Sequence, residues 1–270
     1  MKVKYIDKNI VLRDTKHLNI SLCLDCGQAF RWKETEDGLW QGIACGKFLA
    51  IKQKEDEIIL FNTTKEDFEN LWIKYFDLER DYEAILSSYD EENLITACNT
   101  HPGIRILKQD EWEAICSFII SANNNIPRIK GVIERLCENF GEKIQGGYTF
   151  PSPQKLAELE VEDLAVIRSG FRAKYIIDAA RKIASGEVDL EKVKAMDFNE
   201  AKSELLKIKG VGEKVAQCAL LYGFGRMEAF PVDVWVKRIV AELYPNGLPE
   251  CIKGTEGIAQ QYLFHWRRSL

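Results

Sequence analysis

The stretch KGVGEKVAQ, residues 209–217, places two glycines directly before an apolar helical pattern. A helix expected over 199–208 must reverse direction within a few residues to reach the helix expected from Glu213. Gly210 and Gly212 permit backbone angles that residues with a Cβ resist. The stretch therefore predicts two helices joined by a tight turn.

The chemistry of this turn indicates a contact with nucleic acid. Its glycines leave backbone N–H groups exposed beside a helix start, where the positive end of the helix dipole favours a phosphate oxygen. Such a contact holds a nucleic-acid backbone without recognising its sequence. A P-loop is excluded, because Lys214 is followed by Val215 rather than Ser or Thr and the glycine spacing is wrong.

Two residues at helix starts are candidate catalytic groups. Lys214 stands in the first turn of its helix; only a neutral amine attacks carbon, and the positive end of a helix dipole disfavours the ammonium form. Asp233 directly precedes the next helix, which it can cap. Each has a simpler explanation: Lys214 as a surface lysine paired with Glu213, and Asp233 as a cap alone. If the two helices return side by side, both residues reach one cleft.

The periodicity of the chain changes from strand to helix near residue 65. Strands are predicted in HLNISLCL (17–24), LWQGIACGKFLAIKQ (39–53) and EIILFN (57–62), with a hairpin turn at residues 36–38. Apolar stripes at helical spacing begin at Phe68, Trp112 and Ile129, and further helices are expected near 172–185, 199–208, 213–222, 233–244 and 256–268. We predict an α+β fold with an N-terminal antiparallel β domain (1–100) and a mostly α-helical body (101–270).

Composition and charge limit the classes of function. The chain has no apolar run of about 18 residues and no signal peptide, so we expect no membrane segment and a cytoplasmic location, at a bacterial-type nucleoid, or a nuclear one in a eukaryote. The net charge of −5 argues against nucleic-acid binding by the whole surface. Between Arg168 and Lys182, however, five residues are basic and one is acidic, which allows a local basic face.

The eight cysteines are scattered, as is typical of reduced core residues in a cytosolic protein. Cys23 and Cys26 have the spacing of metal ligands, but no second pair completes a zinc site. A C-terminal iron–sulfur cluster is excluded, because only Cys251 lies beyond Cys218. We expect no metal held by side chains and no cofactor.

The segments LLKIKGVGEKVAQCALLYGF (205–224) and AFPVDVWVKRI (229–239) resemble the helix-hairpin-helix, Gly/Pro-Asp signature of base-excision DNA glycosylases. The presence of a lysine at position 214 resembles the pattern of the bifunctional members of these glycosylases. Blocks at 27–32 (GQAFRW), 117–137, 170–176 (GFRAKYI) and 258–264 (IAQQYLF) resemble the 8-oxoguanine DNA glycosylase family, in the family's order. The hairpin would span about 199–222, in a body that follows a TBP-like β domain.

The resemblance implies a bifunctional enzyme that flips 8-oxoguanine, preferentially opposite cytosine, out of duplex DNA and excises it. Lys214 would attack C1′ and form a Schiff base that permits β-elimination at the abasic site, and Asp233 would stabilise positive charge on the sugar. The base-binding residues would be Gly27, Cys218, Gln260 and Phe264: the Gly27 carbonyl accepts the N7 hydrogen, Gln260 contacts the Watson–Crick edge, and Cys218 and Phe264 enclose the ring.

On the opposite strand, the resemblance implies that Asn123 fills the space of the flipped base, that Arg128 and Arg172 contact the cytosine, and that Phe171 is a wedge. Taken singly, the arginines are surface charges and Phe171 is a core residue. The asparagine run can be simple capping, with Asn125 as the N-cap of the helix that contains Pro127.

The family pattern is broken at two positions. Trp235 stands where the animal members of the family have a histidine, and Arg267 stands where those members have an acidic residue. The alternatives are a glycosylase for adenine or alkylated bases, and a non-catalytic helix-hairpin-helix DNA-binding protein. The family also implies a monomer that binds double-stranded DNA containing oxidised guanine, with a structural cation possible on main-chain carbonyls of the hairpin.

Overall fold

A computed structural model describes residues 1–55 and 57–269. The chain divides into two compact units. The first comprises residues 1–42, 49–108 and 227–270, and the second residues 43–48 and 109–226. Residues 227–270 thus group with the N-terminal region, whereas our two-domain division places them with the helical body. Leu270, the last residue of that predicted body, lies outside the described residues.

An antiparallel sheet forms the N-terminal part. Within the described residues it has six strands in the order β1-β2-β6-β5-β4-β3. Ile10 pairs with Leu60 and Leu12 with Ile58, and all four side chains are buried. The strands are β1 (Lys2–Ile6), β2 (Asn9–Arg13), β3 (Trp32–Glu34), β4 (Trp40–Ala44), β5 (Lys47–Lys54) and β6 (Glu57–Phe61). The predicted antiparallel sheet and α+β class are confirmed.

One predicted strand is wrong, because HLNISLCL contains helix α1 (Ile20–Asp25). The Asn19 side chain caps this helix by accepting a hydrogen bond from the Leu22 N–H at 3.0 Å. The buried residues are Ile20, Cys23 and Leu24, which follow the i, i+3, i+4 spacing of a helix. The alternation of leucine and isoleucine was misleading because Cys23 also belongs to the apolar face.

The helices of the first unit pack around this sheet and around one another. They are α1, α2 (Lys65–Asp67), a π-helical turn (Phe68–Trp72), α3 (Ile73–Tyr75), α4 (Tyr82–Ser87), α5 (Glu92–Thr100), α13 (Val234–Leu243) and α14 (Glu256–Ser269). The Tyr244 hydroxyl donates to Glu91 at 2.6 Å, and the Tyr89 hydroxyl donates to Thr255 Oγ1 at 3.0 Å. These bonds tie the C-terminal segment to the start of α5.

The second unit is helical and contains the predicted hairpin. Its elements are α6 (Glu111–Ser121), α7 (Ile126–Phe140), a short hairpin of β7 (Lys143–Ile144) and β8 (Gly147–Tyr148), α8 (Pro153–Ala157), α9 (Ala173–Ala184), α10 (Leu190–Ala195), α11 (Phe198–Leu205) and α12 (Glu213–Tyr222). The predicted helices at 172–185, 199–208 and 213–222 correspond to α9, α11 and α12. Among the described residues, no helix has the length and apolarity needed to cross a membrane.

Candidate active site

The turn between α11 and α12 uses its two glycines differently. Gly210 has a φ of +86°, and a Cβ there would lie 2.4 Å from the Tyr175 ring. Gly212 has an extended backbone with φ −96° and caps α12, and a Cβ there would meet no atom within 4 Å. The expectation that both glycines need special backbone angles is therefore wrong for Gly212. Its missing side chain instead leaves the start of α12 open.

Lys214 lies in the first turn of α12 and is half-buried. Its Nζ donates to Ser121 Oγ at 3.3 Å and lies 5.3 Å from the centre of the Phe118 ring. Glu213, the partner in the simpler explanation, forms an ion pair with Lys202 at 3.3 Å. The amine of Lys214 is thus directed toward α6.

Cys218 and Tyr222 continue the face of α12 that carries Lys214, at spacings of four residues. Cys218 is buried, and Tyr222 stacks on Phe118 with 5.2 Å between ring centres. This packing holds α12 against α6 and fixes the direction of the Lys214 stem. Lys214 and Cys218 are therefore brought together on one helix face.

The four predicted opposite-strand residues also lie together. Arg172 is buried, and its guanidinium donates to the carbonyls of Ala122 and Asn123 at 2.6 and 2.8 Å. Burial, followed by repulsion from Arg128, lowers the pKa of Arg172. Asn123 itself is exposed, with a φ of +50°, so Arg172 stabilises a strained turn.

Phe171 and Asn125 complete this surface. Phe171 is 54% exposed, and the Arg172 guanidinium lies 4.5 Å from the centre of its ring. The simpler explanation of Phe171 as a core residue is therefore wrong. Asn125 accepts a hydrogen bond from the Arg128 N–H at 3.0 Å, which confirms that it caps α7.

The remaining predicted residues belong to the first unit. Asp233 caps α13 by accepting a hydrogen bond from the Val236 N–H at 2.8 Å, as predicted. Gln260 and Phe264 are one turn apart on α14. Gln260 is 5% exposed, and among the described residues its Oε1 has no hydrogen-bond partner. A buried acceptor without a partner is costly unless a ligand supplies the donor.

Gly27 follows the end of α1 with a φ of +84°. Two glutamines that no role predicted from sequence included, Gln28 and Gln261, anchor the backbone around it. Gln28 is fully buried and donates to the carbonyls of Cys23 and Arg105, at 3.0 and 2.8 Å. Gln261 donates to the Cys26 carbonyl at 3.1 Å. Gln28 directly follows Gly27, and Gln261 directly follows Gln260. Their position next to predicted site residues is the sequence signal that could have identified them.

Trp235 and Arg267, the two positions that depart from the family pattern, each contact a charged side chain. Trp235 is 45% exposed, and the Arg238 guanidinium lies 5.5 Å from its ring centre. Arg267 forms an ion pair with Glu242. Arg267 therefore has an acidic partner within the protein.

Metal ligation by side chains finds no support in the described residues, where no group of three or more His, Cys, Asp or Glu side chains gathers. Cys23 and Cys26 are both buried. Burial raises the pKa of the Cys23 thiol to about 11 and that of Cys26 further. Both thiols are therefore protonated at neutral pH in the protein as described.

Comparisons with known proteins agree with this arrangement. Residues 10–115 match the family described as 8-oxoguanine DNA glycosylase, N-terminal domain, and residues 116–250 match the HhH-GPD superfamily of base excision DNA repair proteins. The chain belongs to the 8-oxoguanine DNA glycosylase family. Its lysine-bearing hairpin and its N-terminal sheet are thus parts of one known architecture.

Individual proteins similar to this chain support its membership of the 8-oxoguanine DNA glycosylase family. The chain is 37% identical to a probable N-glycosylase/DNA lyase of Methanothermobacter thermautotrophicus over 63% of its length, and spans 62% of that protein. It is 30% identical to the N-glycosylase/DNA lyase of Saccharomyces cerevisiae over 82% of its length and 67% of that protein. The Clostridium acetobutylicum 8-oxoguanine glycosylase/lyase, solved with DNA containing cytosine opposite 8-oxoguanine, has a TM-score of 0.93 and 37% identity, covering 100% of this chain and 98% of that one.

Proposed function

We propose that this protein is a bifunctional enzyme that excises 8-oxoguanine, preferentially opposite cytosine, from double-stranded DNA and then cleaves the strand at the abasic site. The observation that carries the proposal is Lys214, a half-buried lysine on the first turn of α12, two residues after the glycine that leaves this helix start open. The hairpin amides bind a backbone phosphate there. The amine then lies beside the sugar of the damaged nucleotide.

The chemistry follows from the nucleophile. The neutral Lys214 amine attacks C1′, the bond from C1′ to the base breaks, and the base leaves with a proton. Lys214 is then joined to C1′ of the closed sugar ring; its nitrogen lone pair forms the C1′=N bond as the C1′–O4′ bond breaks, and O4′ takes a proton from water. The protonated Schiff base so formed acidifies the adjacent C2′ hydrogen, whose loss expels the 3′ phosphate by β-elimination. Asp233 stabilises the positive charge that develops on the sugar as the glycosidic bond breaks.

Recognition of the base is assigned to four residues. Gln260 Oε1, buried and without a partner among the described residues, accepts hydrogen bonds from the N–H groups of the guanine edge. Cys218 and Phe264 enclose the ring. The Gly27 carbonyl accepts the N7 hydrogen that 8-oxoguanine has and guanine lacks, and Gln28 holds that loop. A missing hydrogen bond in a buried pocket costs about 1–3 kcal/mol, which favours the oxidised base.

Recognition of the opposite strand is assigned to the surface of Asn123, Arg128, Phe171 and Arg172. The exposed Phe171 ring inserts as a wedge, and Asn123 occupies the space left by the flipped base, which offsets part of the cost of flipping. Arg128 and Arg172 contact the cytosine. Arg172 contributes by holding the Asn123 turn through two carbonyls, with one face of its guanidinium on Phe171.

We propose that the reaction needs no cofactor and that the enzyme acts as a monomer on DNA in the nucleoid or the nucleus. We also propose that main-chain carbonyls of the hairpin bind one structural cation. Two of these carbonyls already have donors within the protein. The Lys207 carbonyl accepts from Lys182 Nζ at 2.5 Å, and the Ile208 carbonyl accepts from the Val211 N–H at 3.1 Å.

Borohydride trapping tests the proposal. The protein is mixed with a duplex that carries one 8-oxoguanine opposite cytosine, and borohydride is added to reduce any Schiff base to a stable amine. We expect a covalent adduct with the wild type and none with Lys214→Gln. Release of the base without an adduct would make the enzyme monofunctional. Binding without release or adduct would leave a non-catalytic DNA-binding protein.

A further inference from the structure

A carboxylate on α9 supports the turn that is proposed to bind DNA. Asp178 accepts a hydrogen bond from the backbone N–H of Lys209 at 2.8 Å. Its side chain is 16% exposed, whereas Lys209 lies at the surface. Tyr175, one turn earlier on α9, packs against Gly210. Helix α9 therefore supports the first two residues of the turn, by Asp178 at Lys209 and by Tyr175 at Gly210.

The same carboxylate also holds two lysine side chains. Lys182 Nζ lies 3.6 Å from one Asp178 oxygen, and Lys209 Nζ lies 3.8 Å from the other. These residues line a groove of about 670 Å³ beside the turn, together with Lys174. The groove thus carries two basic side chains that share Asp178, and Lys182 Nζ also lies 3.5 Å from an oxygen of Glu187.

A negative charge at this place opposes the proposed function of the hairpin. Affinity for duplex DNA rises with the number of cations that meet phosphates, and a nearby carboxylate both repels phosphate and competes for those cations. Asp178 therefore has two separable effects on DNA binding. Its oxygen stabilises the turn through the Lys209 N–H, whereas its charge withholds Lys209 from the nucleic acid. Lys182 is held in addition by Glu187 and by the Lys207 carbonyl, so it stays engaged without that charge.

We propose that Asp178 is a positioning residue that fixes the hairpin turn and, by its charge, limits the affinity of the hairpin for DNA. The inference rests on the proposed function, because the partner is the phosphate backbone of a DNA duplex. Limited affinity lets an enzyme that must search undamaged DNA leave it again. It also lets the nicked product dissociate.

Two substitutions separate the two effects. Asp178→Asn keeps an oxygen that accepts from the Lys209 N–H but removes the charge. We expect it to bind undamaged duplex about three- to tenfold more tightly, and the salt dependence of binding to become steeper by about one phosphate contact, that of Lys209. Asp178→Ala removes the acceptor as well, so the turn loses its support and the gain in affinity is abolished or reversed.

The measurement is fluorescence anisotropy with an undamaged duplex, and with one that carries a stable abasic-site analogue, over a series of salt concentrations. Exposed Glu138→Gln on α7 is the matched control, because it changes the net charge equally. Thermal unfolding of each variant shows whether it is folded. For Asp178→Asn we also expect slower multiple turnover at an unchanged single-turnover rate, because product release is delayed.

A double-mutant cycle with Lys209→Gln gives the decisive result. With Asp178 present we expect this substitution to weaken binding less than twofold, because the lysine is already occupied. In the Asp178→Asn background it should weaken binding several-fold. Equal effects in both backgrounds, or an Asp178→Asn protein that binds no more tightly than the Glu138→Gln control, would overturn the inference. Binding to undamaged DNA does not require excision, so failure here is distinguishable from failure of the trapping assay.

Discussion

At the scale of single residues, Gly210 and Gly212 offer a matched pair for separating fold from binding. Alanine at 210 would adopt a positive φ and place its Cβ 2.4 Å from the Tyr175 ring. We expect Gly210→Ala to lower the free energy of unfolding by about 1–3 kcal/mol. Gly212→Ala meets neither problem, so its stability should change by less than about 0.5 kcal/mol.

The same two glycines lead to a prediction about the affinity for duplex DNA. A methyl group at 212 stands where the start of α12 is open, so Gly212→Ala should weaken duplex binding although the protein remains stable. Chemical denaturation and anisotropy measure the two quantities independently. Equal stability losses in both variants would contradict the assignment of strain to Gly210. Unchanged DNA affinity in Gly212→Ala would contradict the assignment of the phosphate contact.

Residue types near motifs could be predicted from sequence, but their contacts could not. The places of Lys214 and Asp233 at the starts of α12 and α13 were predicted, because glycine and proline mark helix starts locally. The hydrogen bonds from Arg172 to the Asn123 turn span about 50 positions along the chain. No local pattern encodes such a contact. The burial of Arg172 contradicts the simpler explanation of it as a surface charge, and the two bonds add a supporting role to its predicted contact with the cytosine.

At the scale of elements, the capping of α5 gives a pH-dependent prediction. Glu91 accepts hydrogen bonds from the Leu94 N–H at 2.9 Å and from the Tyr244 hydroxyl at 2.6 Å. Burial alone would raise the pKa of Glu91, but the hydrogen bonds from Tyr244 and from the start of α5 outweigh it and hold the pKa below its usual value. The carboxylate form is therefore favoured by folding.

The sign of the effect follows from that direction. A folded-state pKa below the unfolded one contributes stability at neutral pH that is lost as pH falls through the folded pKa. We expect Glu91→Gln to cost about 1–2 kcal/mol at pH 7, because one amide oxygen replaces two acceptors. The difference from wild type should shrink below a pH of about 4.5. Denaturant melts across pH measure it, and exposed Glu92→Gln should change stability by less than about 0.5 kcal/mol.

Elements with one clear period were predictable, and those decided by distant contacts were not. The spacing of Trp112, Ile115 and Ile119 predicted α6 because one apolar face repeats at helical spacing. The segment that became α1 satisfied both periods. Its outcome depends on tertiary partners, such as the Gln53 side chain, which accepts from the Ile20 N–H at 2.8 Å. The π-helical turn at Phe68–Trp72 has no signature distinct from that of an ordinary helix.

At the scale of the whole molecule, the class and order of the two regions were predictable, whereas the grouping of α13 and α14 with the N-terminal sheet was not. The change of period near residue 65 marks where strands give way to helices along the chain. The return of residues 227–270 depends on pairs such as Tyr244 with Glu91, which are far apart in sequence. The basic face expected between Arg168 and Lys182 is reduced by burial of Arg172 and by the pairing of Arg181 with Glu160, which the count of charges along the chain could not show.

The distribution of the cysteines over the molecule gives a last prediction. Cys45 is exposed in the turn between β4 and β5, Cys251 is half-buried, and the other six are buried. Burial raises the pKa of the Cys98 thiol to about 12 and that of Cys23 to about 11, and a thiol without its thiolate reacts slowly. We expect a charged disulfide reagent to modify one thiol quickly and a second slowly in the native protein, and all eight after denaturation.

Cys45→Ser should remove the fast phase and leave the slow one. Because Cys218 is 3% exposed on the face of α12 that carries Lys214, it should remain unmodified on the time scale of the fast phase. Base release by protein labelled only at Cys45 should then equal that of the untreated enzyme. Loss of activity during the fast phase, with the label mapped to Cys218 by mass spectrometry, would show that this helix face is open to reagents. Such an opening would mean that this face of α12 is less closed in the free protein than the burial of Cys218 indicates.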